Sequence, residues 1–196
     1  IVFQPNYRGS NNRGDSFQEA IMNDGGEGPG TDVMKGIEAL KSRGYIDESK
    51  IAVSGWSYGG FMTSWLIGRY PDFWKVAVAG AAPIDFTDMT SLSNMNLTLR
   101  HAITNSPWVG DNYKDHYNMS PLKNLSKIKA PTLVMSKVED QVVTVTGSYK
   151  LYHALLANNI PTKFIAYPGG GHFPSDPINR KDVYDRWISW IKEYLN

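Results

Sequence analysis

Short, unbroken apolar runs recur along the chain: "IVFQPN" at 1–6, "KIAVSG" at 50–55, "KVAVAGA" at 75–81, "PTLVMS" at 131–136 and "TKFIAY" at 162–167. Continuous rather than alternating runs suit strands buried on both faces, as in a parallel sheet. Helical patterns lie between them. Val33, Ile37 and Leu40 form a stripe that Thr31 would cap and Gly44 would stop. Residues 58–70 read as a helix ending at Pro71, and 146–158 as another. The last helix sets Val183, Trp187, Ile191 and Leu195 on one face. This alternation predicts an α/β fold, a mostly parallel sheet flanked by helices with right-handed crossovers. A chain of 196 residues, 41% of them apolar, is enough for one domain with a sizeable core. Only the stretch from Thr87 to Lys127 breaks the pattern. Its polar and aromatic composition predicts an excursion of short helices and loops above the sheet.

Composition removes several functions. The net charge of +1 comes without a basic cluster, which argues against nucleic acid as a partner. The longest apolar run, "VAVAGAAPI", covers nine positions and cannot span a bilayer, so no membrane role is expected. With no cysteine there are no disulfides, thiolate nucleophiles or cysteine-bearing zinc sites. Neither a metal nor a cofactor is expected. The glycine-rich "NDGGEGPGTD" lacks the Lys-Ser/Thr ending and the preceding strand of a phosphate cradle, so it reads as a surface turn.

Chemistry enters at Gly55-Trp56-Ser57-Tyr58-Gly59, a G-x-S-x-G pattern between a predicted strand and a predicted helix. That context is what a nucleophile elbow requires: a tight turn that leaves the serine strained and bare. A hydroxyl needs a base. His153 sits within a helical run, and His101 and His116 read as ordinary polar residues of the excursion. His172 follows "YPGGG" between the last strand and the last helix, at the carboxyl end of the sheet, and is the expected base. Glu139 and Asp140, after the strand at 131–136, are candidates for the carboxylate that orients it, and Asp85 is a third. Glu139 reads as one of a cluster of solvated acids. The order Ser57, Asp140, His172 is that of the α/β hydrolases.

Together these residues resemble the catalytic domain of the prolyl oligopeptidase family of serine peptidases, chiefly its acylaminoacyl-peptidase and dipeptidyl-peptidase branches. The likeness runs over nearly the whole chain, through "NYRGS", "GWSYGGFMT", "SPLKNLSKIKAPTLVM", "KVEDQVV" and "YPGGGH". It implies Ser57 as nucleophile, Asp140 rather than Glu139 as acid, His172 as base and the Tyr58 N–H as one oxyanion donor. Phe86 and Met89 match the region lining the family's pocket for the acyl-side residue, which implies an apolar preference, and Val142 and Val143 adjoin it. Three positions depart. Val142 stands where an Arg or Asn usually contacts a substrate carbonyl, Lys137 replaces a Gly, and Thr144 replaces a Pro.

The same resemblance implies that the first three strands, and the loop giving a second oxyanion donor, lie outside the chain. The sheet would then have a gap between the strands at 1–6 and 50–55, with two unpaired edges. Residues 1–196 are thus expected to be the C-terminal catalytic domain of a larger protein. Its chief partner would be a missing N-terminal segment of strands and β-propeller, and a homo-oligomer is a second possibility. The expected activity is hydrolysis of short or N-acylated peptides through an acyl-enzyme. Without one oxyanion donor, kcat would fall by ~10²–10³. A carboxylesterase on the same triad, which Val142 favours, is one rival reading. A non-catalytic binding module is another.

Overall fold

The computed structural model describes residues 1–195. Four parallel strands form its sheet: β1 (Ala52–Trp56), β2 (Val76–Gly80), β3 (Thr132–Glu139) and β4 (Thr162–Gly170), in the order β1-β2-β3-β4. Gly55 pairs with Ala79, Val78 with Leu133 and Met135 with Ile165. Helices cover both faces. On one, α2 (Glu27–Ser42), α3 (Tyr58–Arg69) and α7 (Val145–Ala157) place Val33, Phe61, Leu66 and Leu151 against Ala77, Ala79 and Val134. On the other, α8 (Pro177–Leu195) packs Val183 and Trp190 against Val76, Val78, Leu133 and Met135. Residues of opposite parity along β2 and β3 thus feed two separate cores. Helix α3 is buried continuously from Gly60 to Gly68, which explains why its sequence lacks a polar stripe. It lies close to the sheet because Gly60 has no side chain: a Cβ there would sit 2.3 Å from the Gly80 carbonyl oxygen. Among the described residues no helix is long and apolar enough to cross a membrane.

The excursion above the sheet consists of α4 (Phe86–Ser91), α5 (Asn96–Ala102), α6 (Tyr113–Met119) and a 3₁₀ turn (Pro121–Lys127). A short α1 (Asp15–Glu19) precedes α2.

Four sequence-based expectations need correction. Residues 1–6 form no strand. A strand exists only when paired, and among the described residues no strand lies beside β1 on that side. Ile1 and Val2 are exposed, while the Phe3 ring lies over Gly36 of α2. The expected mid-sheet gap is therefore a single open edge at β1. Helix α2 begins at Glu27, four residues before Thr31, because the Asp24 carboxylate accepts the Gly28 N–H at 2.9–3.0 Å and turns the chain there. The "NDGGEGPGTD" stretch is no surface turn. Gly25, Gly26, Gly28, Pro29 and Gly30 are buried, and a Cβ on Gly26 or Gly30 would fall within 2.4 Å of the Trp65 indole. Its glycines serve close packing. His116 is also fully buried, with Nε2 2.7 Å from the Asn105 carbonyl oxygen and its ring edge-on to Phe86.

Candidate active site

Ser57 sits between the end of β1 and the first turn of α3 with φ 61° and ψ −123°, a backbone conformation that side chains rarely adopt. Local chemistry holds it there. The Ser57 N–H donates to the Gly80 carbonyl at 2.9 Å, continuing the ladder, and its own carbonyl accepts the Phe61 N–H that opens the helix. Gly55 is essential to the bend, since a Cβ there would lie 2.4 Å from the Gly59 carbonyl carbon. The hydroxyl thus stands at the N-terminus of a buried helix, where Tyr58, the first helical residue, has no carbonyl one turn back to receive its N–H. The Tyr58 ring stacks on Phe61, and its hydroxyl donates to the Gly25 carbonyl at 2.6 Å. Burial pushes that phenol well above its ordinary range.

Asp140 and His172 meet at the carboxyl ends of β3 and β4. The His172 Nδ1 lies 2.7 Å from Asp140 Oδ2, in a side chain with no exposed surface. Asp140 Oδ1 accepts the N–H groups of Val142 and Val143 at 2.8 and 3.0 Å, which locks the carboxylate in place. A carboxylate can only accept, so Nδ1 carries the proton and Nε2 keeps a lone pair. That Nε2 is buried and has no hydrogen-bond partner. The ring belongs to the loop after β4, and Gly169 near the strand's end and Gly171 just beyond it both adopt positive φ.

Trp56 joins the two halves. Its indole lies across Gly80, where a Cβ would come 2.1 Å from the ring, and its Nε1–H donates to the His172 carbonyl at 2.9 Å. Phe173 packs edge-on against it at 4.7 Å. The other candidates point elsewhere. Glu139 is exposed, Asp85 pairs with Lys150, and His101 and His153 face solvent.

Beside Ser57 lies an apolar cavity of about 190 Å³. Tyr58, Phe61, Phe86 and Met89 line one part of it and Val142 and Val143 another, so the pocket residues singled out by sequence surround one space. Sequence reasoning missed Met95, Leu99 and Ile103, which close the cavity from around α5. Their spacing of four was the available signal, hidden in a stretch read as irregular.

The geometry can now be set beside known proteins. The profile of the prolyl oligopeptidase family matches residues 1–196. The chain belongs to the prolyl oligopeptidase family. Similar curated relatives include the acylamino-acid-releasing enzyme of Mus musculus, 26% identical over 99% of this chain and 27% of its own length. A probable dipeptidyl-peptidase 5 of Emericella nidulans is likewise 26% identical over 99% of the chain and 27% of that protein. The uncomplexed acylaminoacyl peptidase of Pyrococcus horikoshii superposes with a TM-score of 0.88 at 25% identity, covering 97% of this chain and 32% of that one. The chain therefore spans roughly a quarter to a third of the length of the family members it matches.

Proposed function

We propose that residues 1–196 form the C-terminal catalytic α/β-hydrolase part of a larger serine peptidase that cleaves short or N-acylated peptides. One observation carries this reading: a histidine with one ring nitrogen held by a buried carboxylate and the other buried and free, bonded through its backbone to the residue before Ser57. In the proposed reaction, His172 Nε2 takes the Ser57 Oγ proton as Oγ bonds to the substrate carbonyl carbon. The Tyr58 N–H supports the resulting oxyanion. The imidazolium, stabilised by Asp140, then protonates the departing amine and the C–N bond breaks. Water, deprotonated by Nε2, attacks the acyl-enzyme, and the proton returns to Oγ as the acid leaves.

The cavity supports an apolar residue on the acyl side of the cleaved bond, since an apolar space of about 150 Å³ already holds a benzene ring. The remaining strands, second oxyanion donor and propeller gate are assigned to the rest of the larger protein. In the full-length protein, Ser57→Ala is expected to lower kcat by about 10⁶ and to abolish fluorophosphonate labelling. Labelling that persists at another residue overturns the assignment.

A second reading, a carboxylesterase on the same triad, is favoured by Val142, which gives the cavity wall no donor for a second substrate carbonyl. Comparing turnover of an aminoacyl p-nitroanilide with that of a p-nitrophenyl ester separates the two.

A further inference from the structure

The cavity beside Ser57 has two facing walls: α4, with Phe86 and Met89, and the loop after β3, with Val142 and Val143. Helix α4 has only six residues, and a free helix of that length is unstable in water, so its place must be set by its attachments. Its far end is tied to the opposite wall by backbone-directed bonds. Ser93 Oγ donates to the Val142 carbonyl at 2.6 Å, and the Asn94 N–H donates to the Gln141 carbonyl at 2.9 Å.

Its near end is tied by charge. Asp85 caps α4 through Oδ1, which accepts the Thr87 N–H at 2.9 Å, and its Oδ2 accepts from Lys150 Nζ at 2.8 Å. The same ammonium lies 2.9 Å from Asp88 Oδ2, one turn into α4. Lys150 stands on α7, which leads directly out of the Val142–Val143 wall. The first turn of α7 is pressed against the segment between β2 and α4: a Cβ on Gly147 would lie 2.7 Å from the Ala82 carbonyl oxygen. One turn later, Lys150 is in reach of both carboxylates. The two carboxyl groups are mostly buried, at 13% and 21% side-chain exposure, which weakens screening by solvent.

We infer that Lys150 is a positioning residue for substrate selection: its bridge to Asp85 and Asp88 fixes the distance between the two cavity walls and so the preference for a large apolar acyl-side residue. Lys150 touches no reacting atom. Without the bridge, α4 keeps its far tie and, at its near end, the bond from the Phe86 N–H to Ser120 Oγ at 2.9 Å, but it loses its charged link to α7, so Phe86 is no longer held at a set distance from the Val142–Val143 wall. A side chain that fills the cavity loses contacts, whereas a small one has none to lose.

The inference rests on the serine-hydrolase reading, and the experiment separates the two. Wild-type full-length protein and the variants Lys150→Met, Lys150→Arg and Asp88→Asn are compared in three assays. These are turnover of otherwise identical substrates with Phe or Ala on the acyl side, inactivation by the matching Phe and Ala diphenyl phosphonates, and labelling by a small alkyl fluorophosphonate. In Lys150→Met the Phe-to-Ala ratio of kcat/KM is expected to fall about tenfold, mostly through KM, and the phosphonate ratio should fall with it. Fluorophosphonate labelling should stay within about twofold of wild type, and Lys150→Arg, which can reach both carboxylates, should keep most of the ratio. Asp88→Asn, which leaves the Asp85 bond, should fall between, and it carries the test if Lys150→Met does not fold. An unchanged ratio in Lys150→Met, or in Asp88→Asn when that variant carries the test, overturns the inference while leaving the hydrolase reading intact. An equal loss in all three assays also overturns it, because the bridge would then be a general fold support. Wild-type protein that resists both phosphonate and fluorophosphonate removes the hydrolase reading and the inference with it.

Discussion

The two halves of the site are built on strands of opposite character. β1, which delivers Ser57, is an edge with no fully buried residue, and Ser54 in its middle is exposed. β3, which delivers Asp140, is buried through its first six residues. Yet the serine half has the more unusual backbone. The contrast shows where each geometry comes from. The serine is set mostly by neighbours in sequence, with Gly55 permitting the bend and the first turn of α3 following it, and by one ladder bond to Gly80 on β2. The acid–base pair is set by tertiary structure, through the parallel pairing of β3 with β4 and the register shift between Lys137 and Glu139 that re-aims the strand end. A local device tolerates an open edge, whereas the long-range one is anchored through its acid on the buried strand β3, with β4 as the sheet's other edge.

The strongest way to break the contrast is to cut the long-range half alone. Asp140→Asn keeps the shape but presents an amide to Nδ1, so the ring can turn to the wrong tautomer. In the full-length protein kcat is expected to fall by about 10⁴, while KM and the thermal midpoint change little. A loss below tenfold would mean that packing and the Trp56 bond orient the ring unaided.

This division also explains what the sequence made legible. The elbow could be read because most of what shapes it lies within a few residues, and β1 to β4 could be read because their short apolar runs match strands of a parallel sheet. The segment at 1–6 has the same composition, but strand formation is decided by a neighbour, which no run of letters encodes. The glycine-rich loop misled for a related reason. Gly26 and Gly30 are specified by Trp65, a residue distant in sequence, and Gly25 by Phe86 and Ile103, rather than by the turn itself. Met95, Leu99 and Ile103 carried a helical period that polar neighbours masked. Asp140 is favoured over Glu139 by reading the latter as a solvated acid and by the resemblance, and the structure places His172 Nδ1 against Asp140.

The next effect strikes the local half. In Gly55→Ala the new methyl would meet the Gly59 backbone at 2.4–2.6 Å, where no rotamer can relieve it. Stability should fall by roughly 1–3 kcal/mol, measured by denaturant unfolding, with labelling of Ser57 falling far more than stability. Should labelling survive intact, the bend does not depend on that glycine.

Acid pH gives a smaller effect on the packed side. Burial raises the Asp85 carboxyl's affinity for a proton, but the bonds from Lys150 and Thr87 outweigh it and hold the group below its ordinary value of 3.8. The unfolded chain therefore binds this proton at higher pH than the folded one. Stability from the bridge is present above the ordinary value and is lost as pH falls from there through the folded value. The gap in thermal midpoint between wild type and Asp85→Asn should be widest near neutrality and shrink below about pH 4. A gap that stays constant into acid would assign it to the packing of the new amide rather than to the charge, since Asn keeps an oxygen that can cap α4.

The smallest effect gives the finest test of the comparison, because it sets the two glycines of the elbow against each other. They look equivalent in the pattern, but only Gly55 is crowded. A Cβ on Gly59 would meet nothing within 4 Å, and the residue sits in the first turn of α3 without positive φ. Helix propensity alone then predicts that Gly59→Ala stabilises these residues by up to ~1 kcal/mol. Any further segment of the protein that packs into this open space would meet the added methyl. Measured in residues 1–196 alone and in the full-length protein, the substitution gives two numbers. A gain in both means that the space stays empty. A gain in the short chain that turns to a loss in the long one means that the second glycine of the pattern is kept for a neighbour these residues do not supply, and that the serine half, too, is completed from outside.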